Sequence, residues 1–356
     1  MQFDYIIVGQ GIAGSLLAWF LIKVGKKVLI FDEFITNSAS QVASGIINPV
    51  TGKRLVKSWR IEELLRFAID TYKELESKLG IRVISEKSIC RIFSNKEDFQ
   101  FYRQKYEVGE LPAYVQRLND IPSFFNDSEL GGVEISRAYH LVYSTFLAAI
   151  RDFFTENAMV REDRFHFDLL QIKDFTISYS GIEASGIIFC EGAKAIKNPF
   201  FNWLPFNLAK GEVITVRIQG FPEEKIWYKG LFILPLGDHM FKIGATYEWN
   251  FLDEYPSKKG EMELVSRLGQ AINLPFEVLS HDAAIRPTVV DRRPLIGRHP
   301  KYNQIGIFNG LGTKGASLAP FFAHQFAMHL IEGGQIEAEV DIVRFSAKSY
   351  FPDVVL

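Results

Sequence analysis

Apolar and polar positions change rhythm several times along the chain. An unbroken apolar run, Tyr5 to Val8, leads into Gly9-Gln10-Gly11-Ile12-Ala13-Gly14. An Ala/Leu-rich stretch follows from Ser15 to about Val24, and a second apolar run, Val28 to Phe31, closes on Asp32 and Glu33. Continuous apolar runs predict strands buried on both faces, and the stretch between them predicts a helix. Residues 36–60 are polar and glycine-containing, which predicts a long loop. In residues 61–80, Leu64, Leu65, Ala68, Tyr72, Leu75 and Leu79 recur at helical spacing, the signature of an amphipathic helix. Residues 81–135 are broken into short strands, polar turns and charges. A helix is expected over 140–157 and an apolar strand over 181–189. From 211 to 250 the alternation of EVITVRI and MFKIGATYEW predicts antiparallel sheet. Residues 283–356 return to strand and helix, with IGIFNG followed by a helix from about Ala316 to Ile331. No internal repeat is visible.

The strand, glycine turn, helix, strand and acid at the N-terminus come in the order that a dinucleotide-binding βαβ unit requires. Gly9 suits a tight turn out of the strand, Gly11 leaves room for a pyrophosphate, and Gly14 lets the helix approach the sheet. The N–H groups of Ile12 and Ala13 open a helix, whose positive end attracts phosphate. Asp32, with Glu33 beside it, is placed to accept ribose hydroxyls. NAD and FAD are equally served by this unit.

Composition narrows the class. The chain has 356 residues, 47% of them hydrophobic, which is enough for two domains. Thirty-one phenylalanines imply thick aromatic packing or an apolar pocket. A net charge of −2 argues against a dominant attraction to nucleic acid or anionic membrane. Cys90 and Cys190 stand a hundred residues apart without a CxxC, as in a reduced cytoplasmic protein without a zinc site. The first strand, starting by residue 3, is expected to leave no room for a signal peptide, and no segment has the length of a transmembrane span. The histidines show no metal-ligand spacing, so no metal is expected; His324 and His329 read as surface or packing residues.

Beyond the βαβ unit, four segments carry a resemblance. They are Ala43-Ser44-Gly45-Ile46-Ile47-Asn48-Pro49, Ile188 to Ala193 with Gly192 in its turn, Lys242-Ile243-Gly244-Ala245-Thr246, and Arg286-Pro287 through Asp291, Pro294 and Gly297 to Asn309-Gly310-Leu311-Gly312-Thr313-Lys314-Gly315. With them the chain resembles the FAD-dependent D-amino-acid oxidase superfamily, glycine oxidase and monomeric sarcosine oxidase in particular, over nearly its whole length. The resemblance implies an α/β fold: a Rossmann-like FAD-binding domain from residues 1–80, 140–200 and 283–356, with a mixed or antiparallel sheet forming a substrate domain from 81–139 and 201–282. It implies that Ser44, Gly45 and Ile46 contact flavin, and that Gly310, Gly312, Thr313 and Lys314 meet its pyrimidine edge at a helix N-terminus. Arg286 then takes the substrate carboxylate, and Lys242 lies over the flavin to promote reaction with oxygen. An ion pair of Arg286 with Asp282 or Asp291, and a surface position for Lys242, are the plain alternatives. Some relatives tether FAD to a cysteine just before the Arg-Pro segment; Ser280 to Ile285 contains none, so the FAD is expected to be non-covalent. Lys53 and Arg54 make their loop more basic than flavin contact needs; contact with an acidic substrate group or phosphate, and a plain solvated loop, are the alternatives.

The expected activity is oxidation of the C–N bond of a small amine or amino acid. Three rivals remain open at this point: a flavin enzyme modifying the tRNA wobble uridine, a flavin-binding protein without turnover, and an NAD-dependent dehydrogenase.

Overall fold

The computed structural model describes residues 1–118 and 120–348. Two eight-stranded sheets organise it. In the first, strands Val160–Glu162, Val28–Asp32, Gln2–Val8, Ile182–Phe189 and Ile305–Asn309 run parallel in that spatial order. Leu295–Arg298 adds an antiparallel strand beyond Ile305–Asn309, and 170–172 and 177–179 form an antiparallel meander along the same edge of Ile182–Phe189, pairing with its first residues. Ile6, Ile7, Ile30, Ile187 and Ile307 are fully buried. Parallel strands covered on both faces need such residues, which is why their sequences read as unbroken apolar runs. Helix Ile12–Lys23 is buried continuously from Ile12 to Leu21 between this sheet and helix Gly315–Glu332. His324 packs against Phe20 and Phe67, and His329 against Phe326, as core-edge residues.

The second sheet has the order Glu277–Arg286, Ala209–Arg217, Met240–Gly244, Phe232–Gly237, Ile226–Tyr228, Ile89–Ile92, Gly132–Ile135, Val115–Leu118. One pair, 226–228 with 89–92, is parallel and the rest are antiparallel. Helix Lys258–Ala271 covers one face through Leu264 and Leu268. The other face looks toward the first sheet.

Several expectations needed correction. The loop of residues 36–60 contains a short helix, Ala39–Val42, and three two-residue strands. Residues 139–141 pair as a strand, so the helix expected from 140 starts at Tyr143. Residues 81–135 include a helix, Lys96–Glu107, that no apolar stripe announces because only Asp98 and Tyr102 of it are buried. Its start was signalled by Asn95, whose side chain accepts from the Asp98 N–H at 2.9 Å. Strand Glu277–Arg286 is continuous across the domain boundary placed at residue 283. Residues 349–356 of the expected C-terminal piece, and Asn119, lie outside the described residues.

Candidate active site

The carboxyl ends of the parallel strands open into a cavity of about 1730 Å³ that continues beneath the second sheet. Single small-molecule sites occupy roughly 300–1,000 Å³, so this one has room for a dinucleotide and a second molecule. Gly9, Gly11, Ile12 and Ala13 form its first wall. Gly9 turns at φ +102°, and a Cβ there would lie 2.5 Å from the Cys190 carbonyl oxygen. Gly14 lies behind the wall, where a Cβ would come within 1.9 Å of the Gly9 oxygen. The turn therefore closes only with glycine at both positions. The Ile12 N–H at the helix start donates to Ser40 Oγ (3.1 Å), which places a hydroxyl beside the expected phosphates.

Asp32 stands where the ribose acceptor is expected. Its oxygens accept the Gln10 N–H at 2.6 Å and the Phe34 N–H at 2.7 Å, which fixes the carboxylate while leaving lone pairs for hydroxyls. Glu33 is also on the wall, ion-paired to Lys194. Ser44, Gly45, Ile46, Gly192, Gly312 and Thr313 complete the central part. Gly310 and Lys314 sit one layer back: Gly310 forms the turn, and Lys314 immediately precedes the helix. Burial, with Arg293 and Arg292 nearby, lowers the pKa of Lys314.

At the far end lies Arg286, the last residue of its strand. Its Nη1 donates to the Lys210 carbonyl (3.4 Å), its Nη2 to the Thr246 carbonyl (3.2 Å), and the Tyr247 ring centroid lies 4.9 Å from the guanidinium carbon. Gly211 makes the space: a Cβ there would overlap Nη2 at 1.8 Å. No ion pair engages Arg286 among the described residues. Asp291 pairs with Arg344 at 2.9 Å, and Asp282 accepts from Ser280. Burial lowers the Arg286 pKa, the signature of a cation held without its counter-ion. A guanidinium so placed is a receptor for a carboxylate.

Lys242 departs from the expected place over the flavin in one respect: it is not itself on the cavity wall. Phe241 and Ile243 pack into the core under helix Lys258–Ala271, so Lys242 points to the opposite, cavity-facing side. There its Nζ reaches the Val42 carbonyl (3.4 Å), and Val42 is a wall residue. Burial lowers its pKa, against the opposing pull of Asp282. The ammonium thus sits one residue behind the lining. Lys53 and Arg54 lie outside the lining: Lys53 pairs with Glu97 in solvent and Arg54 covers Phe101.

Some wall residues were not anticipated. Arg151 donates through Nε to Gln10 Oε1 (2.9 Å) and stacks 3.8 Å from the Phe34 ring centroid. Glu191, at the end of the central strand, accepts from Asn198 at 2.7 Å and has its pKa raised to about 7 by burial. Arg151 sits mid-helix, where periodicity gives no cue to a ligand; Glu191 lies inside the recognised Ile188–Ala193 segment, which singled out only Gly192.

His140 packs behind Ser44, with its pKa lowered to about 4 by burial and by Lys87 and Lys242. In the unfolded chain a histidine titrates near 6.5. Between these values the unfolded chain binds a proton that the folded one refuses. Stability is therefore full above about pH 6.5 and falls as pH drops toward about 4, by about 1.4 kcal/mol per unit. His140→Gln should lose about 2 kcal/mol less than the parent between pH 7 and 5, read from urea midpoints. Equal losses would remove His140 as the cause.

The model of the family DAO, described as FAD dependent oxidoreductase, matches residues 4–328. A glycine oxidase of Bacillus licheniformis is 24% identical over 362 residues, covering 95% of each chain. The crystal structure of glycine oxidase from Geobacillus kaustophilus superposes with a TM-score of 0.79 at 21% identity, over 99% of this chain and all of that one. Iminodiacetate oxidase from Chelativorans sp. BNC1 gives 0.74 at 21% identity, over 94% and 97%. These likenesses agree with the two-sheet fold, and the family match settles the dinucleotide, setting NAD aside. The chain belongs to the DAO family of FAD-dependent oxidoreductases, and FAD is the cofactor its glycine turn is shaped to hold.

Proposed function

We propose that the protein oxidises the C–N bond of a small amine or amino acid. The observation that carries this reading is Arg286, a partly buried guanidinium on the cavity wall whose partners among the described residues are two carbonyls and an aromatic face. The names of relatives, glycine oxidase and iminodiacetate oxidase, point the same way. Bound in the cavity, FAD supplies the acceptor for the hydride that leaves carbon. Arg286 fixes the carboxylate and so aims the adjacent carbon; the substrate nitrogen's own lone pair forms the C=N bond, so the chain need provide no strong base. Water then adds to the imine, releasing a carbonyl compound and the amine or ammonia.

The first sheet with its helices serves as the FAD-binding part (1–80, 140–200 and the chain after Arg286), and the second, with strand Glu277–Arg286 whole, as the substrate part (81–139 and 201–286). FAD is held without a covalent bond: Ser280–Ile285 offers no thiol, and burial raises the Cys190 thiol far above its ordinary range. A cytoplasmic location is consistent with the two free, buried cysteines. Among the described residues no helix is long and apolar enough to cross a membrane.

The test is an anaerobic spectrum of the FAD-loaded protein on addition of an amine and amino-acid panel. Bleaching by at least one compound with a C–H next to nitrogen is expected; no bleaching by any would end this reading. Lys242 has a narrower role, placing positive charge near the site of oxygen reduction. Lys242→Met should slow reoxidation of the reduced enzyme by air about tenfold while leaving its reduction little changed. Stopped-flow traces that superpose on the parent's would remove that role.

A further inference from the structure

The segment joining strand Met240–Gly244 to helix Lys258–Ala271 passes beside Arg286 and is unusually apolar for exposed chain. Leu252 is fully exposed, Tyr255 is 64% exposed, and Tyr247 and Trp249 are each about half exposed. Tyr247, Phe251, Leu252 and Tyr255 all line the cavity. Exposed apolar surface gathered at a cavity mouth is a binding feature, because covering it is favourable.

The segment is not loose chain. Glu248 exchanges backbone hydrogen bonds with Lys210 at 2.8 and 3.0 Å. Lys210 Nζ lies 3.4 Å from Asp253. Glu212, almost wholly buried, binds Thr246 through its backbone at one end of the segment and the Ser257 N–H and O–H through its carboxylate at the other. Strand 209–212 therefore holds both the apolar segment and, through the Lys210 carbonyl, Arg286. The remaining charges on this stretch of wall are poor hosts for a second anion. Asp253 and Glu254 are acidic, and Arg267 is already paired to Glu263 at 2.9 Å.

We propose that the substrate is a monocarboxylate carrying a large apolar or aromatic group, with its carboxylate on Arg286 and that group against Tyr247, Phe251, Leu252 and Tyr255. This rests on the amine-oxidation reading for turnover, but not for binding. The FAD-loaded protein is first titrated with acetate and phenylacetate, which cannot be oxidised at a C–N bond, and followed by flavin absorbance. Phenylacetate should bind about tenfold or more tightly than acetate. With glycine, alanine, leucine and phenylalanine, the latter three as both enantiomers, kcat/KM should rise about tenfold or more from alanine to the better of the two large residues. Leu252→Ser should cut both ratios about threefold, through KM in the second. Equal binding of the two acids, or a preference for glycine, overturns the proposal. So does Leu252→Ser that alters the sedimentation coefficient and leaves the ratios intact, since the segment would then be covering a second copy of the chain. If phenylacetate binds as expected and no amine bleaches the flavin, the oxidation reading fails and this one stands.

Discussion

Arg286→Ala should load FAD as the parent does and lose about 10²- to 10³-fold in kcat/KM toward an amino acid, chiefly through KM. A carboxylate entering this cavity leaves water, and among the described residues at its end of the wall the Arg286 guanidinium is the cation without an acidic partner to compensate it. Removing one partner of a desolvated charge pair costs about 2–5 kcal/mol, and each 1.4 kcal/mol is tenfold. Arg286→Lys should recover little. The two carbonyls of Lys210 and Thr246 hold a planar fork in a slot opened by Gly211, and an ammonium presents a single point instead. Two controls separate this from structural damage. An amine without a carboxylate should lose less than about threefold, since it never used the pair. Thermal stability should hold or rise, because burial of the unpaired cation already lowers its pKa and disfavours it. An unchanged KM for the amino acid would remove Arg286 from the substrate site.

The sequence made some of this legible and hid the rest for physical reasons. Strands buried on both faces announce themselves as apolar runs, so the parallel sheet and the glycine turn were readable from Tyr5–Gly14, Val28–Asp32 and Ile305–Gly310. Arg286 was readable only through its setting, the Arg-Pro segment before a glycine turn; its lack of a counter-ion depends on Asp291 being claimed by Arg344, a contact across 53 residues. Helix Lys96–Glu107 was hidden because a polar helix lying on the surface has no stripe. Lys242 was singled out through the resemblance alone, which does not report depth, and the short helix Ala39–Val42, whose Val42 carbonyl its Nζ reaches, was read as loop. In the apolar segment Tyr247–Tyr255 the alternation that predicted sheet as far as residue 250 misled: the strand ends at Gly244, only Glu248 pairs, as a bridge to Lys210, and the segment's exposure follows from how Lys210 and Glu212 pin it.

The glycine turn gives the second large effect, and it separates holding FAD from holding the fold. In Gly14→Ala the new methyl meets the Gly9 carbonyl oxygen at 1.9 Å and its carbon at 3.1 Å, both backbone atoms of a turn that itself packs on Cys190. Neither side can yield without moving helix Ile12–Lys23 off the sheet, and that helix is buried for ten consecutive residues. Overpacking of this kind costs about 1–3 kcal/mol or more. With the FAD-derived stabilisation also lost, the variant should appear as colourless, largely insoluble protein. In Gly11→Ala the methyl meets only Ser40 Oγ at 3.0 Å, the end of a side chain that can rotate away, and otherwise points to the cavity. That protein should fold with a far-UV spectrum like the parent's, yet bind FAD at least about 100-fold more weakly, because the methyl occupies the space where the pyrophosphate approaches the helix N-terminus. Fluorescence titration of the apoprotein with FAD reads the second effect, and soluble yield with thermal unfolding reads the first. If Gly11→Ala kept parental affinity, the phosphates would have to lie away from this turn, and Ser40 with them.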